Sequence, residues 1–199
     1  MEHVLILIPA AGASSRMRGR DKLMEDVGGE TALHHAARTA RDAGAQVIVT
    51  LPAGGPHAAP RKAELAGLDL RVLTLPDAHE GMAASLRAGV AAAGSAMGLM
   101  VHMPDMPDIT SKDIAALIAA FSTAPTKVLR AATEDGTPGH PLIFPRRLYS
   151  ELAVVTGDVG GRRVLSGERV TLHQLDGRRA IDDLDTREDW QRWRQDRQT

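Results

Sequence analysis

Cysteine is absent from this 199-residue sequence, which removes disulfides, thiolate nucleophiles and the usual zinc cages as sources of stability or chemistry. An excess of charge is missing too. The 24 Lys and Arg against 25 Asp and Glu leave −1, too little to draw the chain onto nucleic acid or an anionic membrane, so a small-molecule partner is expected. Aromatic residues number five, two Trp, two Phe and one Tyr; with so many alanines in their place, the layers of the fold should be thin and closely packed. No apolar run is long enough to span a bilayer. The opening stretch from His3 to Ile8 has no basic leader and runs straight into a glycine-bearing loop rather than a cleavage site. A cytoplasmic protein with one domain over residues 1–199 is the expectation, since domains usually run to roughly 100–200 residues.

What is present is an alternation. Val4-Leu5-Ile6-Leu7-Ile8 is continuously apolar, the pattern of a central parallel strand covered by helices on both faces. Short apolar runs follow at Gln46 to Leu51, Leu70 to Leu75, Leu99 to Met103, Lys127 to Ala132 and Val170 to Leu175. Between them lie helical patterns: Leu33, Ala36, Ala37 and Ala40 before Gly44; Ala83 to Ala93 with Leu86 and Val90 inward; and Thr110 capping with Asp113 ahead of Ile114, Leu117, Ile118 and Phe121. This predicts an α/β layer fold, a three-layer sandwich around a mostly parallel, Rossmann-like sheet. The Pro and Gly residues at 52–60 and 136–145 read as long surface loops. No repeat or low-complexity segment is found.

Directly after the first strand comes Pro9-Ala10-Ala11-Gly12-Ala13-Ser14-Ser15-Arg16-Met17-Arg18-Gly19-Arg20-Asp21-Lys22. Small side chains let backbone N–H groups approach a polyphosphate, and Arg16 with Lys22 can neutralise charge that the N–H dipoles alone cannot. The competing reading is a solvent-exposed strand-to-helix turn with its arginines in water. Neither G-x-x-x-x-G-K-[ST] nor G-x-G-x-x-G occurs, so the common ATPase and dinucleotide-binding readings lack their usual support.

These residues carry a family resemblance. Ala10-Ala11-Gly12-x-Ser14-x-Arg16-Met17 followed by Lys22-Leu23 resembles the signature loop of the molybdenum cofactor nucleotidyltransferases. Five further segments resemble that family's motifs in the same order: Gly81-Met82-Ala83-Ala84-Ser85-Leu86, Met103-Pro104-Asp105-Met106-Pro107, Gly139-His140-Pro141, Gly157 to Arg162, and Asp183 to Asp189. Together they cover nearly the whole chain. The resemblance implies the nucleotide-diphospho-sugar transferase type of fold and transfer of a nucleoside monophosphate onto a phosphorylated acceptor. It also implies that Ala10, Ala11, Gly12, Ser14, Gly81 and Ser85 bind nucleotide, with the last two near the base, and that His140, Asp158 and Arg162 line the acceptor pocket. Ala11, where guanylyltransferases commonly have Gly, resembles the CTP-using branch. The molybdopterin acceptor and a possible molybdoenzyme partner rest on the resemblance alone.

Asp105 falls just beyond the run Leu99 to Met103, at the carboxyl end of a strand, where open α/β sheets place their ligands. Pro104 and Pro107 fix φ on either side of it, which suits a Mg²⁺ ligand that must meet near-octahedral geometry. Turning the chain is its competing role. A second carboxylate is expected from Asp183 or Asp185, which extended geometry puts on one side and which the resemblance favours over Asp182; helix capping by Asp185 or Thr186 is the competing role there. A phosphate monoester acceptor is already anionic near neutral pH and needs no protein base. Catalysis would then come from positioning, Mg²⁺ and cations, with Arg16, Lys22 and Asp105 as the catalytic set. Two other readings stand beside this one. The first is the cytidylyltransferase of isoprenoid synthesis, which shares Ile8-Pro9-Ala10-Ala11-Gly12 and the Asp183 segment but has Ala-Ala-Arg-Pro where Met106-Pro107 stands here. The second is a cofactor-delivery protein that binds nucleotide without turnover.

Overall fold

The computed structural model describes residues 3–157 and 160–197. Among the described residues nine strands run in chain order, β1 (Val4–Pro9), β2 (Asp26–Val27), β3 (Glu30–Thr31), β4 (Gln46–Pro52), β5 (Arg71–Leu75), β6 (Gly98–Val101), β7 (Val128–Ala132), β8 (Pro138–Pro145) and β9 (Val170–Gln174). Seven of them form one sheet in the order β5-β4-β1-β6-β8-β7-β9, with β2 and β3 as a separate small hairpin. Within the large sheet β5, β4, β1 and β6 are mutually parallel, β7 and β9 are parallel, and β8 runs antiparallel to both β6 and β7. The helices are α1 (Ala32–Asp42), α2 (Ala58–Glu64), α3 (Met82–Ala92), α4 (Ser111–Ser122), α5 (Tyr149–Leu152), α6 (Gly160–Leu165) and α7 (Arg187–Asp196).

The alternation of side chains along β1 explains the three layers. Val4, Ile6 and Ile8 face the core that includes Leu33, Ala37 and Ala40 of α1 and Ile114, Leu117 and Phe121 of α4. Leu5 and Leu7 face the opposite core, with Ala83 and Leu86 of α3, Leu152 of α5 and Val164 of α6. Because both faces are covered, a strand with period-2 geometry reads as unbroken apolar sequence. Small residues set the spacing: a Cβ on Gly89 of α3 would come within 2.8 Å of Leu7 Cδ2, so the helix backbone lies directly on the sheet. Thr110 and Asp113 form the expected capping box on α4, and α1 gives way at Ala43 to Gly44 with φ of 80°. Val90 is only half-buried, against the second core.

Residues 136–145 are not a surface loop. They contain β8, which is inserted between β6 and β7 and mostly buried. Three prolines hid it, since proline donates no ladder bond and normally marks an edge or a break. Pro138 and Pro145 stand at its two ends, and Pro141 lies where the register with β7 shifts between Arg130 and Ala132, so the irregularity takes up the missing donor. The region 52–60 likewise gives way to α2 from Ala58 onward.

Gly139 has a steric reason to be glycine. His140 N–H donates to Ala180 O at 2.7 Å, and this close backbone approach would put a Cβ on Gly139 only 1.7 Å from the same oxygen. Gly139→Ala is therefore expected to force two backbone segments apart and to destabilise the fold by about 2 kcal/mol or more, read as a lowered urea midpoint; an unchanged midpoint would show that the two segments separate freely.

Candidate active site

The order β5-β4-β1-β6 reverses direction at β1, and the crevice at such a switch point opens at the carboxyl ends of the strands. Three segments meet on that rim: the loop after β1, the Pro104-Asp105 turn after β6, and the beginning of β8, whose reversed direction brings its first residues beside the carboxyl ends of β6 and β7.

The loop after β1 is held from an element the sequence did not point to. Arg61 of α2 is fully buried. Its Nη1 donates to Ala10 O and Gly12 O, both at 2.7 Å; its Nε and Nη2 clasp the two oxygens of Asp21 at 2.7 and 2.8 Å; and Nη2 also reaches Ser14 Oγ at 3.1 Å. Burial alone would raise the Asp21 pKa, but hydrogen bonding and charge from Arg61, with Leu23 N–H and Ser14, hold it below the usual carboxylate range. Asp21 in turn caps the 3₁₀ turn Lys22–Met24 by accepting from Leu23 N–H at 3.0 Å. The Ser14 hydroxyl, expected on a nucleotide, bonds Asp21 at 3.0 Å. Ser14 itself adopts φ of 50°. Gly12, Ala13 and Ser14 line the cleft, and their N–H groups have no acceptor among the described residues.

Seated in this way, Lys22 Nζ lies between two carboxylates, 2.5 Å from Asp105 Oδ2 and 2.7 Å from Asp185 Oδ1. Asp105 is buried, and its Oδ1 has no partner among the described residues. Arg16, two-thirds exposed, pairs with the other oxygen of Asp185. Asp183 is exposed and takes no part in this cluster. Leu184 N–H donates to Asp105 O at 2.9 Å and ties the two acidic segments together. Thr186 with Asp189 caps α7, which leaves Asp185 to the cluster. Among the described residues, no group of three or more His, Cys, Asp or Glu forms a cage for a metal.

A cavity of about 520 Å³ lies over this cluster, lined among others by Ala11, Gly12, Arg16, Lys22, Gly81, Ser85 and Asp105. Gly81 opens α3 with φ of 67°, whereas the Ser85 hydroxyl is buried and bonded to Thr50 Oγ1 at 2.9 Å. Ala10 is fully buried behind the loop. A second cavity of about 490 Å³ shares Met82 and Met103 with the first and is lined by His140 and Arg162, both foreseen, and by Arg130, which was not. Asp158 lies outside the described residues. Burial holds the His140 imidazole down at about 4, aided by the charge of Arg130 and opposed by Asp105. His102, after β6, is buried with neither ring nitrogen bonded among the described residues, and desolvation lowers it to about 3.

Residues 6–175 match the model of the MobA-like NTP transferase domain. The chain belongs to that family. Rv0371c of Mycobacterium tuberculosis H37Rv has a similar structure, with a TM-score of 0.81 and 29% identity over 96% of this chain and 97% of that one; a second structure of that protein, a manganese complex, matches with a TM-score of 0.74 and 28% identity over the same shares. These likenesses give this family member the nucleotide-diphospho-sugar transferase fold. Among characterised relatives, the 2-C-methyl-D-erythritol 4-phosphate cytidylyltransferase of Escherichia coli O127:H6 is 31% identical over 132 residues, which are 65% of this chain and 54% of that enzyme, so the match spans about half the length of that relative. Nicotine blue oxidoreductase of Paenarthrobacter nicotinovorans is 28% identical over 160 residues, 77% of this chain and 76% of that protein.

Two outcomes follow from the site as built. Arg61→Ala takes from the largely covered Asp21 carboxylate its charge partner and leaves it only the Ser14 hydroxyl and Leu23 N–H among the bonds described above; it is expected to cost about 3 kcal/mol and to release the loop, seen as a lower unfolding midpoint with faster amide exchange at residues 11–22, and protection equal to the parent protein would mean that the loop holds itself. His102 stays neutral in the fold while the unfolded chain takes up its proton near pH 6.5, so its contribution is complete above about pH 6.5 and is lost as pH falls toward 3. His102→Leu is expected to flatten the loss of stability between pH 6.5 and 4.5, measured by urea titration at each pH, and an unaltered slope would assign that loss to other groups.

Proposed function

We propose that this MobA-like family member is a cytidylyltransferase that moves CMP from CTP onto a phosphorylated acceptor, molybdopterin by resemblance, and releases pyrophosphate. One observation carries the reading: a lysine ammonium held against two carboxylates, one of them buried, at the base of a cleft walled by small residues whose N–H groups have no acceptor among the described residues. A structural turn has no need of that arrangement, whereas a triphosphate needs all of it.

Asp105 and Asp185 offer oxygen ligands to a divalent cation beside the Lys22 ammonium that they flank, and Asp105 keeps a buried oxygen that has no partner among the described residues. A hard cation such as Mg²⁺ takes oxygen ligands of this kind. When bound, it would draw charge from the triphosphate and from the departing pyrophosphate. The manganese complex of Rv0371c supports use of a divalent metal. Lys22 and Arg16 bind the phosphates, Gly12 to Ser14 offer backbone donors, and the Arg61 anchor keeps those donors in place before substrate arrives. The acceptor phosphate supplies the attacking oxygen already deprotonated, so His140 remains neutral and takes no proton.

The likeness to the erythritol phosphate cytidylyltransferase keeps a polyol phosphate as the second reading of the acceptor. The test is pyrophosphate release from Mg²⁺ with each of CTP, GTP, ATP and UTP, with and without molybdopterin. Release with CTP that depends on the pterin is expected, and CTP binding without release under any pairing would favour the delivery-protein reading instead. Lys22→Ala is expected to lower turnover by about a hundredfold or more, since losing one charge contact in such a site typically costs roughly 2–4 kcal/mol; wild-type turnover of that variant at saturating CTP would remove Lys22 from the chemistry.

A further inference from the structure

His35 of α1 stands between two oxygen atoms. Its Nδ1 is 2.8 Å from Glu30 Oε1, and its Nε2 is 3.1 Å from Pro107 O. A neutral imidazole carries one N–H, so either tautomer would set a nitrogen lone pair against an oxygen on one side, whereas the imidazolium donates to both. Arg38 Nη2 also approaches Nδ1, at 3.4 Å, but the carboxylate is nearer, and it already takes Nη2 and Nε of Arg38 on its two oxygens at 2.6 and 3.1 Å. Hydrogen bonding from Arg38, opposed by burial and aided by His35, holds the Glu30 carboxyl at about 2, so Glu30 is an acceptor throughout the range in which an imidazole changes charge.

The other ionisable groups around the ring have partners of their own or stay neutral. His34, on the same helix, lies 3.7 Å from the far oxygen of Glu30. Arg194 and Arg197 of α7 pair with Glu25 and Asp108, and Asp26 of β2 accepts from Gly29 N–H. His102, at the end of β6, feels the charge of His35 and is kept neutral by burial.

Pro107 O is a poor place to lose a donor. Pro104 and Pro107 contribute no N–H to the turn after β6, and Pro107 O takes no backbone donor among the described residues. The turn is instead tied from outside, by Leu184 N–H to Asp105 O at 2.9 Å, by Trp193 Nε1–H to Asp108 at 3.1 Å and by His35 to Pro107 O. The same helix is tied to the turn that carries Lys22, through Ala32 N–H to Glu25 O at 2.9 Å. Both members of the Lys22–Asp105 pair are thus referenced to α1, and His35 is the link on the Asp105 side.

We propose that His35, in its doubly protonated form, is a positioning residue that bridges Glu30 and the Pro107 carbonyl, holds the Asp105 turn against Lys22, and releases that turn as rising pH removes its proton. The proposal deepens the transfer reading and rests on it only in expecting turnover to follow the bridge. The direction follows from the donors: the imidazolium makes both bonds, and the neutral ring gives up one of them.

Imidazole ¹⁵N NMR on the whole protein from about pH 5 to pH 9 reads the ring directly, with His35→Gln assigning its signals. Both ring nitrogens of His35 are expected to carry protons at the acid end. In the step in which the ring loses one, the amides of Asp105, Met106 and Asp108 are expected to lose protection against hydrogen exchange by about tenfold. Glu30→Gln supplies a donor to Nδ1, lets the neutral ring keep its Nε2–H on Pro107, and should hold that protection through the whole range; His35→Ala should lack it at every pH. A ring still neutral at the acid end, protection at 105–108 that ignores the ring, or a step that persists in Glu30→Gln would each overturn the proposal. With CTP and acceptor saturating, kcat is expected to fall roughly threefold through the same step in the parent protein and to stay level in Glu30→Gln. Turnover that is level in the parent while the amides follow the ring would remove the positioning role. The full exchange behaviour in a protein that releases no pyrophosphate would count against the transfer reading and leave the His35 bridge standing.

Discussion

A buried arginine organises the loop after β1. Removing a guanidinium from water is costly unless its donors are met, and Arg61 meets this condition with two loop carbonyls, both oxygens of one aspartate and a serine hydroxyl. The consequences run outward from there. Ala10, Ala11 and Met17 of the loop after β1 are buried, but Gly12 to Arg16 between them carry no large apolar side chain, so the shape of that stretch comes from this hub. Asp21, clasped by Arg61, caps the short turn that begins at Lys22, and the position of the Lys22 ammonium is thus set from a helix some forty residues further along the chain.

The opposite wall is fixed by an apolar contact. Trp190 of α7 is fully buried in a small cluster with Met17, Val27 and Leu184, and Trp193 meets it edge to face at 5.9 Å while donating to Asp108 at 3.1 Å. The last helix therefore docks onto the same loop that Arg61 braces from the other side. Asp185 stands at the start of that helix, and the Thr186 cap releases its carboxylate toward Lys22 and Arg16. With few aromatics available, the chain uses two of them where a peripheral helix has to be fastened.

The parallel strands and the helices α1, α3 and α4 were legible because each buries a face with a plain period, and the meeting of the small-residue loop with Asp105 on one rim was legible because both follow the carboxyl ends of strands. The remainder failed for identifiable reasons. In β8, prolines mask a ladder that continues around an irregularity. Arg61 stands in an Ala- and Lys-bearing stretch that looks like an exposed helix, and only its tertiary partners make it internal. Arg130 looks like an ordinary polar residue within a strand. Asp183 and Asp185 carry the same local signal, and Asp185 alone meets Lys22 because Leu184, between them, bonds back to Asp105.

The reversed direction of β8 gives the two sides of the rim different mechanical character. Gly12, Ser14, Arg16 and Lys22 sit on a segment leaving a strand, seated at a few anchor points and otherwise unsupported, whereas His140 and Arg130 belong to adjacent ladder strands. Divergence within such a framework would proceed at two tempos: the loop can trade residues between its anchors and keep its seat, while the second chamber changes shape only if neighbouring strands change together.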